Sequence, residues 1–292
     1  TVCVCTYRRP EMLQRLLEKL EMQAGGQDFT FSVVVADNDA EQSARGIVEA
    51  FSARSLVEVV YCVEPRKNIA LVRNKAVAHA RGEYIALIDD DEFPVTRWLS
   101  RLLQACTEHN ASGVLGPVRP HFAEEPPKWI IRGGFCDRPE YPTGTPLSWP
   151  ETRTGNALIR RTVFDQLQQP FSPEFSSGGE DQDFFRRAME TGATFVWCNE
   201  GVAYETVPSS RWDRRFLVKR ALLRGRNSLK HPEGRLRLLA KSVVAVPVYV
   251  LALPVAALGG HHQFMKCLVK LCDHGGRLLT VLRLNPVTER EM

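Results

Sequence analysis

Two short apolar runs in the first third of the chain stop abruptly on carboxylates: Phe31–Asp39 reads FSVVVADND, and Tyr84–Pro94 reads YIALIDDDEFP. Each run is apolar throughout, with no polar alternation, as expected of a strand covered on both faces. The same texture appears in TVCVCTY at the start, in LVEVVYCV after Ser55, and in GVLGPV from Gly113. Between these runs lie segments with helical spacing. Pro10 opens one that places Met12, Leu13, Leu16, Leu17 and Leu20 on one face. A second runs through Phe51, and IALVRNKAVAHA forms a third that ends before Gly82. Strand and helix in strict alternation predict a mostly parallel sheet flanked by helices. Ligands of such sheets sit beyond the carboxyl ends of the strands. Asp37 and Asp39 should therefore share one crevice with Asp89, Asp90, Asp91 and Glu92.

Consecutive acids repel one another. A divalent cation would relieve the crowding, because Mg²⁺ and Mn²⁺ are held by one or two carboxylates, waters and substrate phosphates. An acidic turn facing solvent, or carboxylates capping the helix after Pro94, is the plain alternative. A second acidic element, GGEDQDF, places Glu180 and Asp181 at a helix start behind two glycines. Acids are favourable there as caps, and the glycines allow a ligand close to the backbone.

The 292 residues suffice for one large domain or two modest ones, and a net charge of +4 names no partner. The eight cysteines contain no C-x-x-C pair, which gives no support to a zinc or dithiol site. Cys3, Cys5, Cys62, Cys106 and Cys198 lie in or beside apolar runs, as small buried hydrophobes in a reduced, cytoplasmic setting. The first strand is expected to have residues before Thr1. From residue 120 to 150, seven prolines from Pro120 to Pro150 punctuate an irregular excursion in which Trp129, Phe135 and Trp149 need packing partners. Order returns with TGNALIRR, strand-like, and with GGEDQDFFRRAMETG, a helix closed by Gly192.

The opening strand with TYRRP, then VVVADND, NIALVRNKAVAHARGEYIALIDDDE, TGNALIRR and GGEDQDF follow in this order. In that order they make the chain resemble the family 2 glycosyltransferases of the GT-A fold from roughly Thr1 to Lys230. The resemblance implies an α/β, Rossmann-like sheet. The expected division is a catalytic domain over 1–207, with a nucleotide-binding half about 1–118 and an acceptor half about 119–207, then a helical tail over 208–292. It further implies that Asp37 holds the base or ribose with Asp39 beside it, and that Arg73 and Asn74 lie near the nucleotide. Asp89 and Asp91 match the D-x-D pair, with Asp91 the direct metal ligand and Asp90 between them on the nucleotide side. Asp181 matches the catalytic base, with Glu180 next to it. Thr154, Gly155 and Asn156 fall on the acceptor side. The implied reaction moves a sugar from a nucleotide-diphosphate donor, UDP-linked, to a hydroxyl of a glycan or lipid-linked saccharide, with inversion and with Mg²⁺ or Mn²⁺. A metal at the leaving diphosphate and a base at the acceptor explain why acids are needed in two places.

The tail is basic and apolar. Arg211, Arg215 and Lys219 recur at helical spacing, with Arg214, Arg220, Arg224 and Arg226 alongside and Leu217, Val218, Ala221 and Leu222 interleaved. Such a helix suits an anionic membrane surface, and the same arginines could grip a diphosphate. Processive family members carry Q/R-x-x-R-W. Here Arg211 and Trp212 match its end but Pro208 stands first, which favours single sugar addition. The apolar run Val243–Leu258 is shorter than the roughly 20 residues of a full span, and Pro247 and Pro254 should interrupt it. A kinked span, an in-plane or re-entrant segment and a core helix all remain open. The expected location is the cytoplasmic face of a bacterial inner membrane, without nucleic acid as a partner, and the tail is similar to those of exopolysaccharide enzymes of the succinoglycan type. Three other readings compete. A haloacid-dehalogenase-like phosphatase would need Thr or Val where Phe93 stands, and an EF-hand calcium module is opposed by Phe93 and Pro94. A module binding a nucleotide sugar or metal without catalysis is the third.

Overall fold

A computed structural model describes residues 1–23, 29–175, 178–229 and 234–284. Strands β1 (Val2–Thr6), β2 (Val33–Asp37), β3 (Val59–Val63) and β4 (Tyr84–Asp89) are parallel, and α1 (Pro10–Glu21), α2 (Arg45–Ser52) and α3 (Ile69–His79) connect them. The chain continues through β5 (Glu92–Pro94), α4 (Trp98–Glu108), β6 (Gly113–Leu115), β7 (Val118–His121) and α5 (Lys128–Gly133). Then come β8 (Ala157–Arg160), α6 (Arg161–Asp165), α7 (Glu180–Glu190), β9 (Phe195–Trp197) and β10 (Ala203–Thr206).

The large sheet has seven strands in the order β3-β2-β1-β4-β8-β6-β9, and β5, β10 and β7 form a second, three-stranded sheet. β8 runs antiparallel between β4 and β6, so the sheet is mixed but mostly parallel. The single expected strand GVLGPV is divided between the two sheets. A Cβ at Gly116 would collide with the Gly201 carbonyl oxygen, and Pro117 has no N–H for a ladder, so the run breaks there.

Both faces of the large sheet are buried, which explains the unbroken apolar runs. Val2, Val4, Val33, Val35, Ala86 and Ile88 pack with α1, α2 and α4 through Leu13, Leu17, Phe51 and Trp98. The alternate residues Cys3, Val34, Ala36, Ile85 and Leu87 pack with α3, α6 and α7 through Val72, Phe164 and Phe184. The register sets Thr6 beside Asp37 and Cys5 beside Asp89, so β1 ends between the two acidic strand ends.

The chain forms two compact units. The first comprises Thr1–Pro120 with Arg138–Thr206, and the second comprises His121–Asp137 with the described residues from Val207 on. In the second, α5 accompanies α8 (Arg214–Asn227), α9 (Arg235–Leu258) and α10 (His261–Val281). Gly225 and Gly276 let α8 and α10 touch backbone to backbone, because a Cβ on either would collide with the other helix. Trp129 packs edge-on against Phe135 at 5.4 Å within this unit's core of Ile130, Leu217 and Met265. α9 runs continuously through Pro247 and Pro254, contrary to the expected interruption, and begins ahead of the apolar run. By length and composition it could cross a membrane. Val244, Val248, Leu251, Val255 and Leu258 lie exposed along it, so it is not a core helix.

Candidate active site

At the end of β2, Asp37 is completely buried. Its carboxylate accepts the Asp39 and Ala44 amides, each at 2.9 Å, and the Tyr61 hydroxyl at 2.8 Å. Both oxygens are thereby occupied in shaping the loop that follows. Asn38 donates to the Glu64 and Arg66 carbonyls at 2.7 Å and accepts the Asn68 amide at 3.1 Å. Asn68 in turn caps α3 through the Ala70 and Leu71 amides. Asp39 accepts Arg8 Nε at 3.0 Å and Nη2 at 3.2 Å, a bidentate bond that holds its carboxyl below the usual range.

The acids after β4 are spread over different partners. Asp90 accepts the Thr6 hydroxyl at 2.8 Å and Arg9 Nη1 at 3.0 Å, and the same guanidinium nitrogen reaches Asp91 at 3.1 Å. Asp89, with its side chain 44% exposed, meets Arg73 Nη2 at 3.3 Å. Glu92 is buried, accepts the Asp89 amide at 3.3 Å and lies 3.9 Å from Arg138, which also pairs with Glu205. Arg9, Arg73 and Arg138 thus each pair with acids of this run, and this is what makes the acidic crowding tolerable. Negative charge nevertheless remains in excess. Burial pushes Asp90 up to about 6, and burial followed by the Asp89 charge raises Glu92 well above the ordinary range.

That excess is what a hard cation would neutralise. Among the described residues no three His, Cys, Asp or Glu side chains converge on one point. The donor set fits an ion held by one or two carboxylates, with phosphate and water completing its shell.

The opposite side is built by α7. Gly178 and Gly179 adopt φ of 107° and 100°, a left-handed turn that delivers Glu180 and Asp181 to the first turn of the helix. Glu180 is buried and pairs with Arg73, while its Oε2 has no partner among the described residues. Burial first, then the neighbouring Asp181, raises the Glu180 carboxyl, and Arg73 pulls against both. Asp181 is half-buried and accepts the Gln182 amide at 2.8 Å. Arg73 thus ties Asp89 to Glu180, bringing the two acidic elements together. Asn74 faces elsewhere: its side chain donates to the Phe171 carbonyl at 2.7 Å and accepts the Phe171 amide at 2.9 Å.

The stretch from Pro150 to Asn156 runs between these sides. Gln182 Nε2 donates to the Pro150 carbonyl at 3.3 Å. At the other end, a Cβ on Gly155 would lie 2.7 Å from Glu92 Oε1 and 3.3 Å from Asp89 Oδ2. Asn156, buried and at φ 62°, accepts the Trp98 indole at 2.6 Å and donates to the Pro117 and Gly201 carbonyls. It is wholly engaged in framing the site. The buried Thr154 hydroxyl has no partner among the described residues. The roles of Arg8, Arg9, Arg138 and Glu205 were not apparent from the sequence. The TYRRP stretch did carry a signal for the first two, since it follows directly on a strand that ends between two acidic ends.

A sequence model of the Glycosyl transferase family 2 matches residues 1–168. The Succinoglycan biosynthesis protein ExoM of Rhizobium meliloti (strain 1021) is 37% identical over 227 residues, covering 76% of this chain and 71% of that protein. Among solved structures, the Pyrobaculum calidifontis mannosyltransferase PcManGT in complex with GDP-Man and Mn²⁺ superposes with a TM-score of 0.65 at 16% identity, over 96% of this chain and 86% of that one. S. aureus TarS 1–349 in complex with UDP-GlcNAc gives 0.56 at 14% identity, over 99% and 96%. At such identities the structural likeness speaks for the fold alone.

Proposed function

The chain belongs to the family 2 glycosyltransferases, and from that premise we propose an inverting, metal-dependent transferase that moves a sugar from a UDP-linked donor to a hydroxyl of a glycan or lipid-linked saccharide in exopolysaccharide synthesis. Family membership sets aside the phosphatase and calcium-module readings of the DDDEF stretch. The observation that carries the proposal is the pairing of two acidic elements through Arg73: Asp89 at the end of β4 and Glu180 at the start of α7, with Asp181 next in line. One serves the leaving diphosphate and the other the attacking hydroxyl. The relative ExoM, a succinoglycan biosynthesis protein, supports the polysaccharide setting, and the two structural neighbours, solved with UDP-GlcNAc and with GDP-Man and Mn²⁺, support a nucleotide sugar and a divalent ion.

In this reading Asp91, with Asp89, holds Mg²⁺ or Mn²⁺, which supplies Lewis-acid stabilisation of the diphosphate when bound. Asp90 stays tied to Thr6 and Arg9 and orients its neighbours towards the nucleotide. Asp37 and Asp39 fix the loop after β2 that receives the base and ribose. Asp181 accepts the acceptor proton, and Glu180 anchored on Arg73 fixes the helix start that carries it. The exposed apolar row of α9 and the basic residues of α8 suit the anionic cytoplasmic face of a bacterial inner membrane.

Screening nucleotide sugars with Mg²⁺ or Mn²⁺ and a membrane extract as acceptor tests the proposal. Asp181→Asn should reduce transfer on the order of 10²- to 10⁴-fold while donor binding stays within about threefold. Unimpaired transfer by this variant would remove Asp181 as the base.

A further inference from the structure

We propose that Arg153 is the cation held in reserve for the donor's departing diphosphate, a role that rests on the transferase reading above. Arg9 bridges Asp90 and Asp91, Arg73 bridges Asp89 and Glu180, and Arg138 bridges Glu92 and Glu205. Arg153 is different. It is half-buried, yet among the described residues it makes no ion pair and donates no hydrogen bond.

Its place in the chain is specific. Pro150 is held by Gln182 at the start of α7, and Gly155 abuts Glu92 and Asp89 after β4. Arg153 lies between these anchors in the chain, where the Asp181 and Glu92 carboxylates and the Arg138 guanidinium all act on its charge. It therefore borders the gap between the proposed base and the proposed metal side, where the transferred sugar and its diphosphate must lie. Burial, reinforced by the like charge of Arg138, lowers its pKa, so the guanidinium is held in a setting that disfavours charge until an anion arrives. Thr154, the next residue, adds a buried hydroxyl without a partner among the described residues. A cation and a hydroxyl on consecutive residues, neither with a partner among the described residues, are the kinds of donor that a phosphate oxygen needs.

The step is balanced without further reactants. The bond between the anomeric carbon and the β-phosphate oxygen breaks, and its electron pair leaves with the diphosphate. The acceptor oxygen bonds to the anomeric carbon and its proton passes to Asp181. Arg153 meets the charge that accumulates on the departing oxygen.

The test is calorimetric titration of UDP, GDP and uridine, each with Mn²⁺, into the wild type, Arg153→Gln, Arg153→Lys and Asp91→Asn, with thermal unfolding of the ligand-free proteins. Arg153→Gln should lose about tenfold or more in nucleoside-diphosphate affinity, and Arg153→Lys less. Uridine binding should not change. Ligand-free Arg153→Gln should melt no lower than the wild type, because it gives up no partner. Diphosphate affinity within twofold of wild type in both Arg153 variants would overturn the assignment, as would a lowered melting temperature with unchanged affinity. Wild-type protein that binds neither diphosphate, or Asp91→Asn that keeps full Mn²⁺ dependence, would instead overturn the transferase reading on which it rests.

Discussion

Arg73 is the residue on which the geometry turns. It is 7% exposed, and its partner Glu180 is 5% exposed. Removing one member of such a pair leaves the other as an uncompensated buried charge. Arg73→Ala should lower unfolding stability by roughly 3–5 kcal/mol in urea denaturation, and a loss below about 1 kcal/mol would show that the pair is not formed in solution. Gly155 tests position rather than charge. Its Cβ would lie 2.7 Å from Glu92 Oε1, so Gly155→Ala must displace a carboxylate that holds the Asp89 amide. A loss of on the order of tenfold to a hundredfold in kcat/KM is expected, and unchanged kcat/KM would mean that Glu92 can shift without consequence.

Among the elements, the segment leading into β8 does most to frame the site. Asn156 joins the Trp98 indole to the Pro117 and Gly201 carbonyls; Asn156→Ala would take the partner from the Trp98 indole and the Gly201 carbonyl, while the Pro117 carbonyl keeps the Ala203 amide. A cost of roughly 2 kcal/mol or more follows, readable as a lower denaturation midpoint with an unchanged slope. α1, α3 and α7 were legible in the sequence because Pro10, Gly82 and Gly192 punctuate apolar spacing. The acidic strand ends were legible because they interrupt apolar runs. What the sequence concealed depends on distant pairing. The antiparallel entry of β8 between β4 and β6 has no local signature, and Arg138 meets Glu205 across 67 positions. The functional assignment of Asp37, Asn74 and Asn156 came from motif position, whereas their contacts are hydrogen bonds that hold loops and strand ends. α9 was read as too short because its apolar run starts at Val243. The helix starts earlier, at Arg235 after Gly234, and its first turns carry Ser242 packed inwards, donating to Leu238 and bonded to His274 of α10 at 3.0 Å.

For the whole molecule, a net charge of +4 is too small to direct it to any partner, so the proposed membrane attachment must come from local features. The exposed row on α9 is the candidate. Leu251→Asp combined with Val255→Asp should reduce flotation with anionic vesicles several-fold, without altering Mn²⁺-dependent UDP binding. Undiminished flotation would remove α9 as the attachment element. The central claim is that the acids closing β4 hold a metal against a nucleoside diphosphate, opposite the carboxylate that leads α7. Anomalous diffraction from crystals grown with Mn²⁺ and UDP tests it most directly. The account predicts a manganese peak bonded to Asp91, with Asp89 beside it and the diphosphate completing the shell. A nucleotide bound elsewhere, or manganese absent from these carboxylates while UDP is present, would contradict it.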